Sequence, residues 1–230
     1  MMHWLLNSLF AVALSVTASA WAGTYEDGLM AYMLGDYATA SIYFREAADG
    51  GNSWGQVMLA EMYDEGKGLP RNDEEAVKWY RKAAEQGNAI AQNNLGVAYT
   101  TGHGVAKNDH EAASWYRKAA DQGYDEAQYN LGTIYYCGDG VPQNETEALK
   151  WYLKSAEQGL TIAQYNLGVM YFTGAGVPAD RMEAYFWWLL AGASGDEDAR
   201  HNMEMVETQL TIAQLAAAQE RARKWKRKLP

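Results

Sequence analysis

Residues 89–124 read AIAQNNLGVAYTTGHGVAKNDHEAASWYRKAADQGY, and residues 125–160 read DEAQYNLGTIYYCGDGVPQNETEALKWYLKSAEQGL. A leucine, a glycine, a tyrosine, a Gly-x-Gly loop and a tryptophan therefore return 36 positions later. The spacing extends in both directions, with leucines at Leu59, Leu95, Leu131 and Leu167 and tryptophans at Trp79, Trp115, Trp151 and Trp187. A fixed period of this length indicates a repeat architecture, in which each unit buries its apolar face against its neighbours.

Each unit predicts two helices joined by a tight turn. Ala91, Leu95 and Tyr99 share one helical stripe, and Gly96 lies inside that stripe. Because a glycine within a helix costs about 1 kcal/mol, Gly96 predicts a close approach of the second helix. Gly102 is suited to a left-handed helix end. The second helix begins with acidic residues and ends with basic ones, which complements the helix dipole.

The landmarks form the pattern Ala-x3-Leu-Gly-x2-Tyr-x2-Gly-x-Gly-Val, followed by Ala-x2-Trp-Tyr-x-Lys-Ala-Ala-x2-Gly. Over residues 53–195 this pattern resembles the Sel-one-like repeat (SLR) family, relatives of the tetratricopeptide repeat that include bacterial secreted and periplasmic proteins. The resemblance implies an all-α fold, a right-handed α/α superhelical solenoid of antiparallel helix hairpins. With both ends included, we expect about six hairpins.

The ends of the chain depart from the repeat, as a solenoid requires of its caps. We expect repeats at 53–88, 89–124, 125–160 and 161–196. Residues 23–52 shorten the loop and predict an N-terminal tetratricopeptide-like capping hairpin, while 197–230 predict C-terminal capping helices with a basic tail. In the latter segment, Thr211-x-x-Gln214 has the form of a helix capping box.

Residues 1–22 are typical of a secretory signal peptide. The apolar run from Leu5 to Val16 is too short to span a bilayer, and small residues allow cleavage after Ala20 or Ala22. We therefore expect export to the periplasm or the extracellular space, with no stable membrane insertion after signal removal. An uncleaved anchor or a soluble N-terminal helix is the alternative, since no Lys or Arg precedes the run.

The composition, 230 residues with 48% hydrophobic and 21% charged, is that of a globular protein. The 19 Lys and Arg against 29 Asp and Glu give a net charge of -10, which argues against a nucleic-acid partner. Six of the bases lie within residues 221–230. They form either a solvated helix terminus or a contact for an anionic partner or membrane surface. The single Cys137 rules out an intramolecular disulfide.

Catalytic motifs are weak in this sequence. The Gly-x-Ser-x-Gly pattern around Ser53 matches a nucleophile elbow, but the repeat offset places it in a turn between helices. His103 and His110 lack further metal ligands nearby in sequence. We expect no cofactor, no metal and no catalytic residue. The alternative is a β-lactam or cell-wall amide hydrolase, because some cysteine-rich members of the resembling family are associated with β-lactams, although their disulfide-forming cysteines are absent here.

In related superhelices the first helix of each repeat lines the concave face. Projection of the spacing places the following candidate partner-binding residues there: Trp54, Asn93, Val97, Thr100, Tyr129, Tyr136, Tyr165, Phe172 and Met205. Such aromatic rings can receive an extended peptide or an amphipathic helix, and the alternative is that they only pack on their neighbours. We therefore expect a non-catalytic protein–protein interaction module, an adaptor or regulator with a protein or peptide ligand.

Leu189 and Leu190 stand where the earlier repeats carry Arg81-Lys82, Arg117-Lys118 and Leu153-Lys154, so a usually solvated position has become apolar. The terminal helix could bury them through Leu215 and Trp225. Alternatively they form an exposed patch for weak self-association, in which case the protein would be a structural or self-assembling scaffold.

Overall fold

The computed structural model describes residues 22–227, so the predicted signal segment up to residue 21 and the last three residues lie outside the described part. The described residues form twelve α-helices and contain no β-strand. In chain order the helices are α1 (Ala22–Met33), α2 (Tyr37–Asp49), α3 (Ser53–Glu65), α4 (Asp73–Glu85), α5 (Ala89–Thr101), α6 (Asp109–Asp121), α7 (Asp125–Cys137), α8 (Glu145–Glu157), α9 (Thr161–Thr173), α10 (Arg181–Ala193), α11 (Glu197–Glu207) and α12 (Ile212–Lys224). The predicted fold class, an all-α repeat of helix hairpins, is confirmed.

The described residues fall into two compact units, unit 1 ending at Gln86 and unit 2 beginning at Gly87. Unit 1 contains α1–α4, and α2 packs on α3 to join its two hairpins. Unit 2 contains α5–α12, in which α6 packs on α7 and α8 packs on α9, while α11 and α12 both pack on α10. Within residues 22–227, none of the helices has both the length and the apolar character that crossing a membrane requires.

The glycine inside each first helix marks the closest approach of the second helix, as predicted. A Cβ on Gly96 would lie 2.6 Å from the ring of Tyr116, and one on Gly132 would lie 2.7 Å from the ring of Tyr152. In the next repeat the indole of Trp188 occupies the same place over Gly168. The absent side chain therefore sets the spacing between paired helices.

The turn and cap residues also take their predicted roles. Gly102 has a φ of 78°, in the left-handed region, and its N–H donates to the carbonyl of Ala98. Asn108 caps α6 by accepting a hydrogen bond from the N–H of Glu111, and acidic residues fill that first turn. In the last turn, Lys118 complements the helix dipole, and its Nζ lies 3.5 Å from the ring centroid of Trp115.

Repeated glutamines bind consecutive helices together. In unit 2, Nε2 of Gln122 donates to Oε1 of Gln92 at 2.7 Å, and Nε2 of Gln158 donates to Oε1 of Gln128 at 2.8 Å. Gln128 also donates to the carbonyl of Ala120 at 3.2 Å, which links α7 to α6. These bonds satisfy amides that burial would otherwise leave without partners.

The terminal helix α12 buries the apolar part of α10. Leu190 is only 9% exposed, Leu189 is half-buried, and Leu215 and Trp225 pack against the same core cluster. Burial under the terminal helix is thus confirmed. Leu190 is buried in this core and Leu189 is half-buried against it, so the two leucines do not form the exposed patch that the alternative assumes.

Polar contacts fix α12 in place. The predicted capping box of Thr211 and Gln214 is present at its start. Arg221 pairs with Glu183, and its guanidinium lies 3.8 Å from the ring centroid of Phe186. At least part of the basic segment therefore contacts the protein itself.

Candidate binding face

Helices α5, α7 and α9 are the first helices of three consecutive repeats in unit 2. We call their accessible side the A-helix face, and its predicted members are Val97, Thr100, Tyr129, Tyr136, Tyr165 and Phe172. Val97 is 40% exposed and Tyr136 is 36% exposed, while the other four are half-buried. Met205, 43% exposed, lies on α11 beyond this face.

The aromatic residues of this face are partly packed against other helices and partly exposed. The ring centroid of Tyr129 lies 5.6 Å from that of Tyr152, and the ring centroid of Phe172 lies 5.6 Å from that of Trp188. Each ring thus has one side against a second helix and keeps some accessible area. Rings held in this way lose little conformational freedom when they contact a ligand.

Hydrogen bonds beneath the face hold its hydroxyl groups. Thr100 donates to the carbonyl of Gly96 at 3.1 Å, and its Oγ1 lies 3.3 Å from the hydroxyl of Tyr116. In the next repeat, Oγ1 of Thr133 lies 3.0 Å from the hydroxyl of Tyr152. Burial raises the pKa of Tyr116 and raises the pKa of Tyr152 to about 12, so both phenols stay neutral.

Asn93 corrects one sequence expectation. It is 3% exposed, so a ligand cannot reach it. Its Oδ1 accepts a hydrogen bond from Nδ2 of Asn130 at 2.9 Å, which ties α5 to α7, and its Nδ2 donates to Asn94 at 3.4 Å. Trp54 is 49% exposed on α3 and belongs to unit 1, so it is not a member of the A-helix face.

Sequence reasoning missed a row of amides in unit 2. One asparagine occurs at the same position in each successive first helix, and all four are half-buried: Asn94, Asn130, Asn166 and Asn202. Their 36-residue spacing was the available signal. It was overlooked because the neighbouring leucine and glycine landmarks mark the core, whereas these amides lie at its edge.

The candidate catalytic residues lie in ordinary structural positions. Ser53 is the first residue of α3, and Asn52 caps that helix by accepting from the N–H of Gly55 at 2.9 Å. The predicted turn between helices is confirmed. His103 and His110 are exposed, and no group of three or more potential metal-binding side chains is found within residues 22–227.

Unit 1 contains a carboxyl group with a strongly shifted pKa. The pKa of Glu61 on α3 is raised from 4.5 to about 7. Burial is the main cause, the negative charge of Glu65 adds to it, and the positive charge of Lys67 acts in the opposite direction. Burial also raises the pKa of Tyr25 on α1 to about 12, with contributions from Glu26 and Glu61. Burial therefore disfavours the charged form of Glu61.

Comparison with known protein families identifies one repeat along most of the chain. The family model of the Sel1 repeat matches residues 18–52, 55–88, 89–124, 125–160 and 161–196. No curated protein was found to match the sequence.

Solved structures share the fold. A protective antigen of uropathogenic Escherichia coli with an SLR fold is 36% identical, with a TM-score of 0.83 over 89% of this chain and 45% of that one. A Sel1 repeat protein from Oxalobacter formigenes is 32% identical, with a TM-score of 0.75 over 87% of this chain and 82% of that one. This chain therefore spans less than half the length of the Escherichia coli antigen.

Proposed function

The chain belongs to the Sel1 repeat family, and on that premise we propose that it is a non-catalytic interaction module, an adaptor or regulator, that binds a peptide or protein segment on the A-helix face. The observation that carries the proposal is the set of rings at Tyr129, Tyr136, Tyr165 and Phe172. Asn93 and Thr100 hold the equivalent places in the preceding repeat, so these positions do not require a ring. Partly exposed aromatic residues are typical of interface centres.

A first experiment compares the partners of two folded variants. The triple substitution Tyr129→Ala, Tyr165→Ala and Phe172→Ala removes rings from the face, and Val97→Asp is a milder second variant at a more exposed position. Met33→Ala with Ile42→Ala is the matched control, because it removes exposed apolar side chains from unit 1. Crosslinking from cell-envelope extracts should recover a partner with the wild type and the control but not with either face variant.

Circular dichroism and thermal melting establish that each variant is folded. A folded face variant that retains every wild-type partner contradicts the proposal. Turnover of a β-lactam or a cell-wall amide by the purified protein, abolished by Ser53→Ala or His110→Ala, would support a hydrolase instead.

We also propose that the protein acts outside the cytoplasm, on the basis of the apolar run and small residues in its first 22 residues. Cell fractionation followed by N-terminal sequencing tests this proposal. The expected mature chain begins at Trp21 or at Gly23. Recovery of the intact chain from the cytoplasmic fraction alone would contradict export.

A further inference from the structure

Six of the basic residues lie together at the C-terminal end of the chain. Residues 221–228, which we call the C-terminal basic segment, contain three arginines, three lysines and no acidic residue, whereas the rest of the chain has 13 basic and 29 acidic residues. All five bases in the described part of the segment are exposed, namely Arg221, Arg223, Lys224, Lys226 and Arg227. The segment is therefore a positively charged surface on a protein that is otherwise acidic.

Stabilisation of α12 accounts for only part of this charge. Positive side chains in the last turn of a helix complement its dipole, and the bases up to Lys224 occupy the last turn of α12. The helix ends at Lys224, and Trp225 has extended backbone angles, with φ at −65° and ψ at 136°. Because the effect of the dipole falls off within the last turn, it does not explain the bases at Lys226 and Arg227.

Ion pairs also leave the end of the segment positive. The single carboxylate of Glu220 pairs with two of the bases, Arg223 at 3.8 Å and Lys224 at 2.9 Å. Among residues 22–227, neither Lys226 nor Arg227 forms an ion pair. These two side chains therefore add positive charge that the described part of the protein does not pair.

The segment is held against the body of unit 2. The side chain of Arg227 packs over Gly159, in the turn between α8 and α9, and Trp225 packs against the apolar core. The end of α8 before that turn carries one base and one acid, Lys154 and Glu157, so it leaves the sign of the local charge unchanged. A positive surface that is already ordered loses little conformational freedom on binding.

The exposed face of α12 continues this surface with apolar groups. Ile212 begins the helix and is 87% exposed, and Ala213, Ala216 and Ala217 are also exposed. Residues 212–219 include no charged residue. Ile212, Ala216 and Arg223 share one helical stripe, since positions 212 and 223 are about three turns apart. Apolar groups at one end and bases at the other thus lie on the same side of one exposed helix.

We propose that the exposed face of α12 and the C-terminal basic segment together bind an anionic phospholipid surface. Lysine and arginine are attracted to the negatively charged headgroups, and an apolar side chain such as Ile212 enters the boundary between headgroups and acyl chains. An acidic protein surface suits the bases alone, whereas a membrane interface suits both halves of the helix. Because the attraction falls off within a Debye length, about 10 Å at 0.1 M salt, more distant acidic residues oppose it weakly. The proposal uses none of the residues of the A-helix face.

Vesicle flotation of the purified full chain tests the proposal. One set of vesicles contains phosphatidylcholine alone, and the other also contains about 30% phosphatidylglycerol. We expect the protein to float with the anionic vesicles at about 0.05 M salt and to bind them at least about tenfold more weakly at about 0.5 M salt, because salt screens the charges. The neutral vesicles should bind little protein at either salt concentration.

Two double substitutions that remove the same charge provide a matched pair. Lys226→Gln with Arg227→Gln, the charge variant, should weaken binding to anionic vesicles by about fivefold or more. Lys78→Gln with Lys107→Gln neutralises two exposed lysines, on α4 and in the loop before α6, and should leave binding unchanged. Any contribution of the apolar run at the N-terminus is common to both variants. Thermal melting separates loss of binding from loss of fold.

A second pair tests the apolar half of the surface. Ile212→Gln should weaken binding to anionic vesicles by about threefold, because it removes the largest apolar side chain from the exposed face of α12. Ile42→Gln is the matched control, since Ile42 is 66% exposed on α2 in unit 1, and it should bind like the wild type.

Several outcomes would overturn the lipid contact. Equal binding to neutral and anionic vesicles would do so, and so would binding that is unchanged in either the charge variant or Ile212→Gln. Capture of the protein on immobilised polyglutamate, without binding to vesicles, would assign the bases to an acidic protein instead. Both variants should keep the crosslinked partners of the A-helix face, so failure here leaves the proposed function intact.

Discussion

At Gly132 the ring of Tyr152 occupies the space that any Cβ would need, at 2.7 Å. Alanine normally stabilises a helix relative to glycine by about 1 kcal/mol. Here we expect the opposite for Gly132→Ala, a loss of about 1–3 kcal/mol in the free energy of unfolding, because the ring and helix must move apart. Urea denaturation followed by circular dichroism measures the change.

Ala60 supplies the matched control for Gly132. It lies at the equivalent position in α3 and is fully buried, so the first full repeat already accommodates the methyl group. Ala60→Gly should lower stability by at least about 1 kcal/mol, through helix propensity and lost packing. An increase in stability for Gly132→Ala would show that helix spacing adjusts freely and would contradict the steric argument.

Glu61 predicts a pH dependence of the stability of unit 1. Its folded-state pKa of about 7 lies above the value of about 4.3 for an unfolded glutamate, so the folded chain binds more protons between these limits. Stability should therefore fall as the pH rises from about 4.5 to 7. Glu61→Gln should stabilise the protein by about 1–3 kcal/mol at pH 8 and have little effect near pH 4.

The pH experiment needs a control for general charge effects. Glu74→Gln removes a carboxylate from an exposed position on α4 and should change stability by less than about 0.5 kcal/mol at either pH. Denaturant midpoints measured from pH 4 to pH 8 provide the comparison. Parallel pH profiles for the wild type and Glu61→Gln would refute the shifted carboxyl group.

Single residues differ in how far sequence alone predicts their surroundings. Gly96 was identified from an energetic cost that only close helix packing offsets. Asn93 was misplaced, because helical spacing indicates a direction but does not show that Asn130 reaches across from the next first helix. Patterns within one repeat predict contacts within that repeat better than contacts between repeats.

At the level of the element, α12 covers the apolar core around α10. Ala218 on α12 is 3% exposed, whereas the adjacent Ala217 is exposed. We expect Ala218→Asp to detach α12, because an unpaired carboxylate would be buried. Hydrogen exchange should then speed up over residues 212–224, and a hydrophobic dye should bind. Ala217→Asp should behave like the wild type. Equal effects of both substitutions would contradict the docking described for α12.

The ends of helices could be predicted from sequence where a single residue or a short motif determines the cap. Gly102 and the Thr211–Gln214 pair act within a few residues of their own helix, so their roles follow from local sequence. Leu189 and Leu190 were ambiguous because their environment depends on where α12 lies, about 30 residues later in the chain. Only the three-dimensional packing distinguishes a buried pair from an exposed patch.

At the scale of the whole molecule, the 36-residue period predicted the fold because every repeat carries the same landmarks. The candidate binding residues were harder to predict, since they lie at positions that vary between repeats. The net charge of -10 by itself says little about a ligand, because the charged residues are unevenly distributed and α5 and α9 carry none.

The repeat architecture of unit 2 leads to a prediction about cooperativity. Leu95 and Leu167 are fully buried equivalents in its first and last complete repeats. Each substitution to alanine should cost about 2–5 kcal/mol. Because repeats contact mainly their neighbours, the damage should stay local. Hydrogen exchange should quicken most within 89–124 for Leu95→Ala and within 161–196 for Leu167→Ala. Uniform loss of protection across unit 2 in both variants would instead show that its repeats unfold as one cooperative body.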